Sequence, residues 1–286
     1  MQPLLEVEGL KKTYPGFQLN GVSFSIYEDC ITGFIGANGA GKTTTIRSIL
    51  HLISHEAGTI KFKGKDISKT EKSFKDSIGV VFDEGFFYDE LTLTQMKNLI
   101  ASSYSHRDNG AYAHYLDAFS LRPDQAISSL SRGMKMKFSL ALALSHHAEL
   151  LIMDEPTSGL DPLVRKQFIE ILKEFMEQGG KAVFYSTHNT SDLDKAADML
   201  VMIDNGKILF EEDKDMLLET HRLVKGKGLL PAETKKLFLT VEQTKYGFTG
   251  VTNQVKEARR IFPDAVFELV TVEDIMLSHM KEGEPV

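Results

Sequence analysis

The chain of 286 residues holds one cysteine, Cys30. A single thiol cannot build an intrachain disulfide framework, and it leaves out most cysteine-based metal sites. Cys30 lies in an apolar stretch and reads as a small core residue. Such sparse cysteine fits a reducing, cytoplasmic compartment. Long apolar runs are missing as well. Nothing approaches the roughly 18 consecutive apolar residues of a membrane-spanning helix. The opening Met1-Gln2-Pro3-Leu4-Leu5-Glu6 lacks the basic-then-apolar build of a signal peptide. Work at a membrane would therefore pass through partners that span it. An excess of positive charge is also lacking: the formal net charge is −7, and nothing global points to nucleic acid. What is present is an ordinary 42% of apolar residues, enough to bury a core. The length suits one large domain, or one domain with a smaller appendage.

Short apolar runs alternate with segments of helical period through much of the first part. Cys30–Ile35 reads as a strand ending at glycine, and Thr43–Leu52 as a helix with Ile46, Ile49 and Leu50 on one face. Ile78–Phe82, Leu150–Met153 and Ala182–Tyr185 read as further buried strands. The pattern predicts a largely parallel sheet covered on both faces. Asn205-Gly206, between Met199–Asp204 and Lys207–Glu211, predicts a tight hairpin. Leu93 to His147 is helical with polar breaks, as in a helical insert. From about Met216 the texture changes: Lys225-Gly226-Lys227-Gly228 reads as a loop, Gln254–Ile261 as a helix, Ala265–Val270 as a strand and Thr271–Lys281 as a last helix. Thr271 and Asp274 have the spacing of a capping box. This tail reads as a small α+β appendage.

Gly36-Ala37-Asn38-Gly39-Ala40-Gly41-Lys42-Thr43, with Thr44 next, fits G-x-x-x-x-G-K-[ST] between a strand and a helix. Glycines let successive N–H groups turn inward around an anion, and the helix start adds unpaired donors and the positive end of its dipole. The pattern predicts a cradle for the phosphates of ATP, with Lys42 on the β- and γ-phosphates and the Thr43 hydroxyl on Mg²⁺. Asp154 and Glu155 end an apolar strand. Beside the phosphate loop, Asp154 would reach the metal, and Glu155 would face the γ-phosphate and polarise the attacking water.

Leu130-Ser131-Arg132-Gly133-Met134 opens a helix shortly before that strand, where Ser131 and the N–H groups up to Gly133 form a second anion site. Ser158-Gly159-Leu160-Asp161 follows, and His188 ends a later strand. In this order, over about the first 210 residues, the set resembles the ABC ATPases. Leu130–Met134 resembles their signature motif, usually Leu-Ser-Gly-Gly-Gln, and Ser158–Asp161 their D-loop. His188 resembles their switch histidine on the γ-phosphate, and Tyr14 the aromatic that stacks on adenine. The resemblance implies an α/β P-loop NTPase (RecA-like) core with an antiparallel β subdomain and a helical subdomain near 84–149. It implies an ATPase domain over 1–215, and it leaves 216–286 as the appendage. It implies a head-to-tail dimer, homomeric or heteromeric, in which Ser131 and Gly133 meet ATP held by the opposite subunit.

Three positions depart from the family. Asp83, followed by Glu84, stands where a glutamine is usual; it could ligate Mg²⁺ but repels a triphosphate without the metal. This predicts stronger metal dependence of nucleotide binding than a glutamine would give. Arg132 replaces a glycine, and Met134 a glutamine; Arg132 either assists phosphate binding or faces solvent. The loop Gly85-Phe86-Phe87-Tyr88 suits either docking to a membrane partner or core packing. The other histidines, including His146-His147, read as structural. The family reading is an ATP-driven subunit of an export-type transporter at the cytoplasmic face of a membrane, similar to subunits that export peptides or confer antibiotic resistance. It binds ATP and Mg²⁺, works with membrane-spanning subunits and binds no nucleic acid. The alternatives are a soluble ABC ATPase acting on nucleic acid or ribosomes, and a weakly catalytic regulatory subunit.

Overall fold

A computed structural model describes residues 2–83, 86–106 and 108–280. Its strands are β1 Pro3–Tyr14, β2 Phe17–Tyr27, β3 Cys30–Ile35, β4 Ala57–Phe62, β5 Lys65–Asp66, β6 Ile78–Phe82, β7 Leu150–Asp154, β8 Ala182–Thr187, β9 Met199–Asp204, β10 Lys207–Asp213, β11 Arg222–Lys227, β12 Thr240–Gln243, β13 Gly247–Thr252 and β14 Val266–Glu268. The α-helices are α1 Lys42–Ile49, α2 Glu71–Ser77, α3 Leu93–Ala101, α4 Asn109–Ala118, α5 Arg132–Leu144, α6 Pro162–Met176, α7 Thr190–Ala196, α8 Lys214–Thr220, α9 Val255–Ile261 and α10 Val272–His279.

The central sheet runs β10-β9-β3-β8-β7-β6, parallel except for the edge strand β10. Its middle strands are apolar on both sides because both faces are covered. Val183 and Tyr185 of β8 and Leu151 and Met153 of β7 face one layer, which holds α5, α6, α7 and α10. Ala182 and Phe184, with Leu150 and Ile152, face the other, against α1 and the antiparallel sheet β2-β1-β4-β5. There Phe24, Phe34 and Phe184 pack with ring centroids 5.2–5.5 Å apart. The period-two alternation of the strands thus assigns each side chain to a layer.

The segment from Leu93 to His147 is helical. Among its described residues no strand forms, and a single bridge joins Thr92 to Ala126. Thr92 and Gln95 close a full capping box at the start of α3. In the tail, β12-β13-β11-β14 form an antiparallel sheet over Val224, Leu230, Leu237, Phe238 and Phe248. Thr271 and Asp274 close the expected capping box on α10. That helix turns back onto α7, so Val272, Ile275 and Met276 join the main core.

Several expectations need correction. Lys225-Gly226-Lys227 is not a loop: it lies in β11, between β13 and β14, and the turn begins at Gly228. A Cβ on Gly226 would lie 2.2 Å from the Phe248 ring, so this glycine admits an aromatic rather than making a bend. Helix α1 stops at Ile49, with His51 in the left-handed region. The strand expected over Ala265–Val270 shortens to Val266–Glu268, and Lys281 lies outside the described residues. Cys30 is only half-buried, because it opens its strand; burial still pushes its thiol upward, with help from Asp198, Asp29 and Asp213.

Candidate active site

The phosphate loop leaves the carboxyl end of β3 and enters α1. Gly41 caps α1 at φ +117° with no side-chain cap, so the first N–H groups of the helix stay available to an anion. Gly36 is fixed by a close approach: a Cβ there would sit 2.3 Å from the Ile203 carbonyl of β9. Lys42 is 6% exposed. Its ammonium donates to the carbonyls of Gly36 at 2.8 Å and Ala37 at 3.2 Å, and lies 3.3 Å from Glu155 Oε1.

Glu155 follows β7 at φ +50°, a region that non-glycine residues rarely occupy and that needs support from its surroundings. The support comes from β8. The Glu155 N–H donates to Ser186 O and Ser186 Oγ, both at 3.1 Å. The same Oγ donates to Asp154 Oδ1 at 2.6 Å, in a buried setting. Glu155 Oε2 lies 2.8 Å from His188 Nδ1 and accepts the His188 backbone N–H at 3.2 Å. One carboxylate therefore joins Lys42 of the loop to His188 at the end of β8.

These groups open on a cleft of about 710 Å³ lined by Ala37, Asn38, Gly39, Gly41, Lys42, Thr43, Thr44, Asp83, Glu155 and His188, with Gly16, Phe17, Ser158 and Asn205 at its margins. A cradle of backbone donors, a lysine and a carboxylate–histidine pair is the chemistry of nucleotide hydrolysis. A family profile for the ABC transporter matches residues 19–158. The bacitracin transport ATP-binding protein BcrA of Bacillus licheniformis is 31% identical over 225 residues, 78% of this chain and 74% of that protein. The linearmycin resistance ATP-binding protein LnrL of Bacillus subtilis (strain 168) is 34% identical over 212 residues, 72% and 68% of the two chains. The chain belongs to the ABC transporter ATP-binding proteins. A solved ATP-binding subunit of an ABC transporter, 28% identical, superposes with a TM-score of 0.67 over 76% of this chain and 92% of that one. The α/β P-loop NTPase fold and the reading of the chain as an ATP-binding ATPase subunit are thereby borne out.

Within this ABC ATPase the expected site residues fall into groups. Thr43, Thr44, Asp83, Glu155 and His188 share the cleft, and Asp154 is buried directly behind it. Gly36 and Ala40 support the loop from below, where Ala40 is buried. Tyr14 sits in the adjoining hollow with Gly16, Phe17 and Asn205, and Lys12 Nζ lies 5.4 Å from its ring centroid. Phe17 went unnoticed in the sequence. It pairs with Tyr14 across the β1–β2 turn and touches the space over Gly41, so it borders both hollows. The signal was present as an aromatic three residues after Tyr14, beyond Pro15-Gly16.

Ser131 and Gly133 do not line the cleft. Ser131 caps α5, its Oγ accepting the Met134 N–H at 3.3 Å, and the helix start is exposed. Gly133 faces Val164 of α6, where a Cβ would meet methyl groups at 3.4 Å. In the D-loop, Asp161 caps α6, accepting from Leu163 and Val164. Arg132, left open between phosphate and solvent, pairs with the Asp83 carboxylate and lies 3.5 Å from Ser158 Oγ. The aromatic loop divides: Phe87 packs on Phe138 at 5.0 Å, while Phe86 and Tyr88 are 70% and 60% exposed. Glu84 and Gly85 lie outside the described residues. Both ring nitrogens of His146 lie against carbonyls, of Ile78 at 2.8 Å and Leu142 at 3.2 Å, which suits its structural reading.

Proposed function

We propose that this ATPase powers export through partner subunits that span the membrane, working as a head-to-tail dimer at the cytoplasmic face. The convergence of Lys42 and His188 on Glu155 carries the catalytic part of this reading. Lys42 leaves the loop carbonyls to hold the β- and γ-phosphates. Glu155 orients the attacking water and accepts its proton, and His188 fixes that carboxylate while sensing the γ-phosphate. Tyr14, with Phe17 beside it, stacks on adenine. Ser131 and Gly133 present the start of α5 to ATP bound by the other subunit.

Mg²⁺ fits the donor set. Thr43 and Asp83 offer hard oxygens on the cleft, and Asp154 lies buried behind it; no group of three or more His, Cys, Asp or Glu side chains among the described residues forms a metal cage. That combination suits an ion that takes a few protein oxygens and completes its shell with phosphates and water. When bound it would supply charge neutralisation on the triphosphate.

The export assignment rests on the relatives. One is named for bacitracin transport and another for linearmycin resistance. No helix among the described residues is long and apolar enough to cross a membrane, and this reading gives the span to a partner subunit. Exposed Phe86 and Tyr88 on the loop after β6 are the docking surface for it. Residues 1–215 are taken as the ATPase domain, with 84–149 as its helical subdomain and 216–286 as the appendage.

Replacing Glu155 by Gln tests the chemistry. Phosphate release should fall by about 10²- to 10⁴-fold while ATP remains bound and dimers accumulate. Turnover at the wild-type rate would remove Glu155 from its role. Purification from native membranes should recover spanning subunits with this chain; recovery on ribosomes or DNA instead would sink the transport reading.

A further inference from the structure

Two of the three departures from the family pattern meet in space. Asp83 directly follows β6 at the wall of the cleft, and Arg132 is the first residue of α5, 49 positions later. The Arg132 guanidinium donates to Asp83 Oδ1 and approaches Ser158 Oγ at 3.5 Å. It also fills the space beside Gly159, where a Cβ would lie 2.4 Å from Nη1. Arg132 thereby joins the signature helix, on which it sits, to the segments that carry Asp83 and the D-loop. Lys135, one turn further along α5, is engaged elsewhere with Asp89 at 2.8 Å, so it does not compete for Asp83.

Asp83 has a double position. It lines the nucleotide cleft, and it also lines a second hollow of about 350 Å³ under α5, together with Phe82, Leu130, Arg132, Lys135, Met136 and Ser139. An unpaired carboxylate there would oppose an incoming triphosphate. A guanidinium on the same oxygen offsets that charge and fixes the carboxylate's orientation.

We propose that Arg132 is a positioning residue of the ATPase site: it neutralises Asp83 against the triphosphate and ties the signature helix and D-loop to the cleft wall. The inference rests on the site assigned above. It also alters the expectation drawn from Asp83 alone. The added metal dependence expected of an aspartate over a glutamine belongs to the chain without Arg132, not to the wild type.

The test is a double-mutant cycle in the full chain with Arg132→Gln, Asp83→Asn and the pair combined. ATP binding is measured by equilibrium dialysis, once in EDTA and once with Mg²⁺. The pair is partly exposed, with side chains 49% and 37% accessible, so the effects are moderate. Arg132→Gln should weaken metal-free binding about three- to fivefold, and Mg²⁺–ATP binding distinctly less. Adding Asp83→Asn should restore metal-free binding. A merely structural role for Arg132 would weaken both forms alike, with no rescue; that outcome, or additivity in the cycle, overturns the proposal. Lys42→Ala serves as the site control. If it binds ATP like the wild type, the site assignment falls and the inference with it.

Discussion

The two anion sites of this ATPase are built in opposite ways. The phosphate loop is made of backbone held from beneath: Gly36 rests on the Ile203 carbonyl, Lys42 is buried, and Glu155 is braced from β8. The start of α5 is open, and Ser131 there occupies itself by capping its own helix. In the reading proposed above, the first site is complete within one chain and the second serves ATP held by another. Burial then marks the half proposed to grip the nucleotide, and exposure the half proposed to approach one.

Gly36→Ala should produce the largest break in this contrast. Its Cβ has backbone as its nearest neighbour, so β3 or β9 must shift, costing about 1–3 kcal/mol. The melting temperature should fall and ATP affinity with it; an unchanged melting temperature would mean that the loop is not held as described. Ser131→Ala should cost about 1 kcal/mol through the lost cap, with ATP binding by the isolated chain retained. Its lost turnover should return on mixing with Lys42→Ala chains, because one composite site then keeps both intact halves. Mixed samples that stay inactive would place both halves in one chain.

The smallest expected effect concerns pH. Burial, before any other cause, lowers the pKa of His146 and of His221 below the ordinary 6.5. The unfolded chain then binds more protons than the folded one between those lowered values and 6.5. Stability should be full above about pH 6.5 and decline as the pH drops below it. His146→Gln should flatten the melting temperature between pH 7.5 and 5.5. A profile as steep as the wild type's would exclude His146 as a source of the decline.

The parts of the site that the sequence revealed are those written locally. Gly36–Thr43 and the apolar run into Asp154 and Glu155 each carry their chemistry in consecutive residues. The central strands were legible for the same reason, since burial on both faces leaves an unbroken apolar run. Arg132 was not, because its partner Asp83 is distant in the chain and only the fold joins them. Gly226 misled for a related reason. Its neighbours resemble a loop, and the need for a bare backbone comes from the ring of Phe248. Phe17 was passed over because one aromatic had already filled the expected role.

The last helix of the tail gives the appendage a mechanical meaning. The Val272 N–H donates to Asp194 Oδ1 on α7 at 3.1 Å, and α10 packs along that helix. Helix α7 begins two residues after His188. Helix α10 is therefore a wedge seated against the helix that follows His188, the residue proposed to sense the γ-phosphate. Shortening the chain to its first 215 residues would withdraw that wedge and strip the apolar flank of α7, leaving the histidine on a loosened lever.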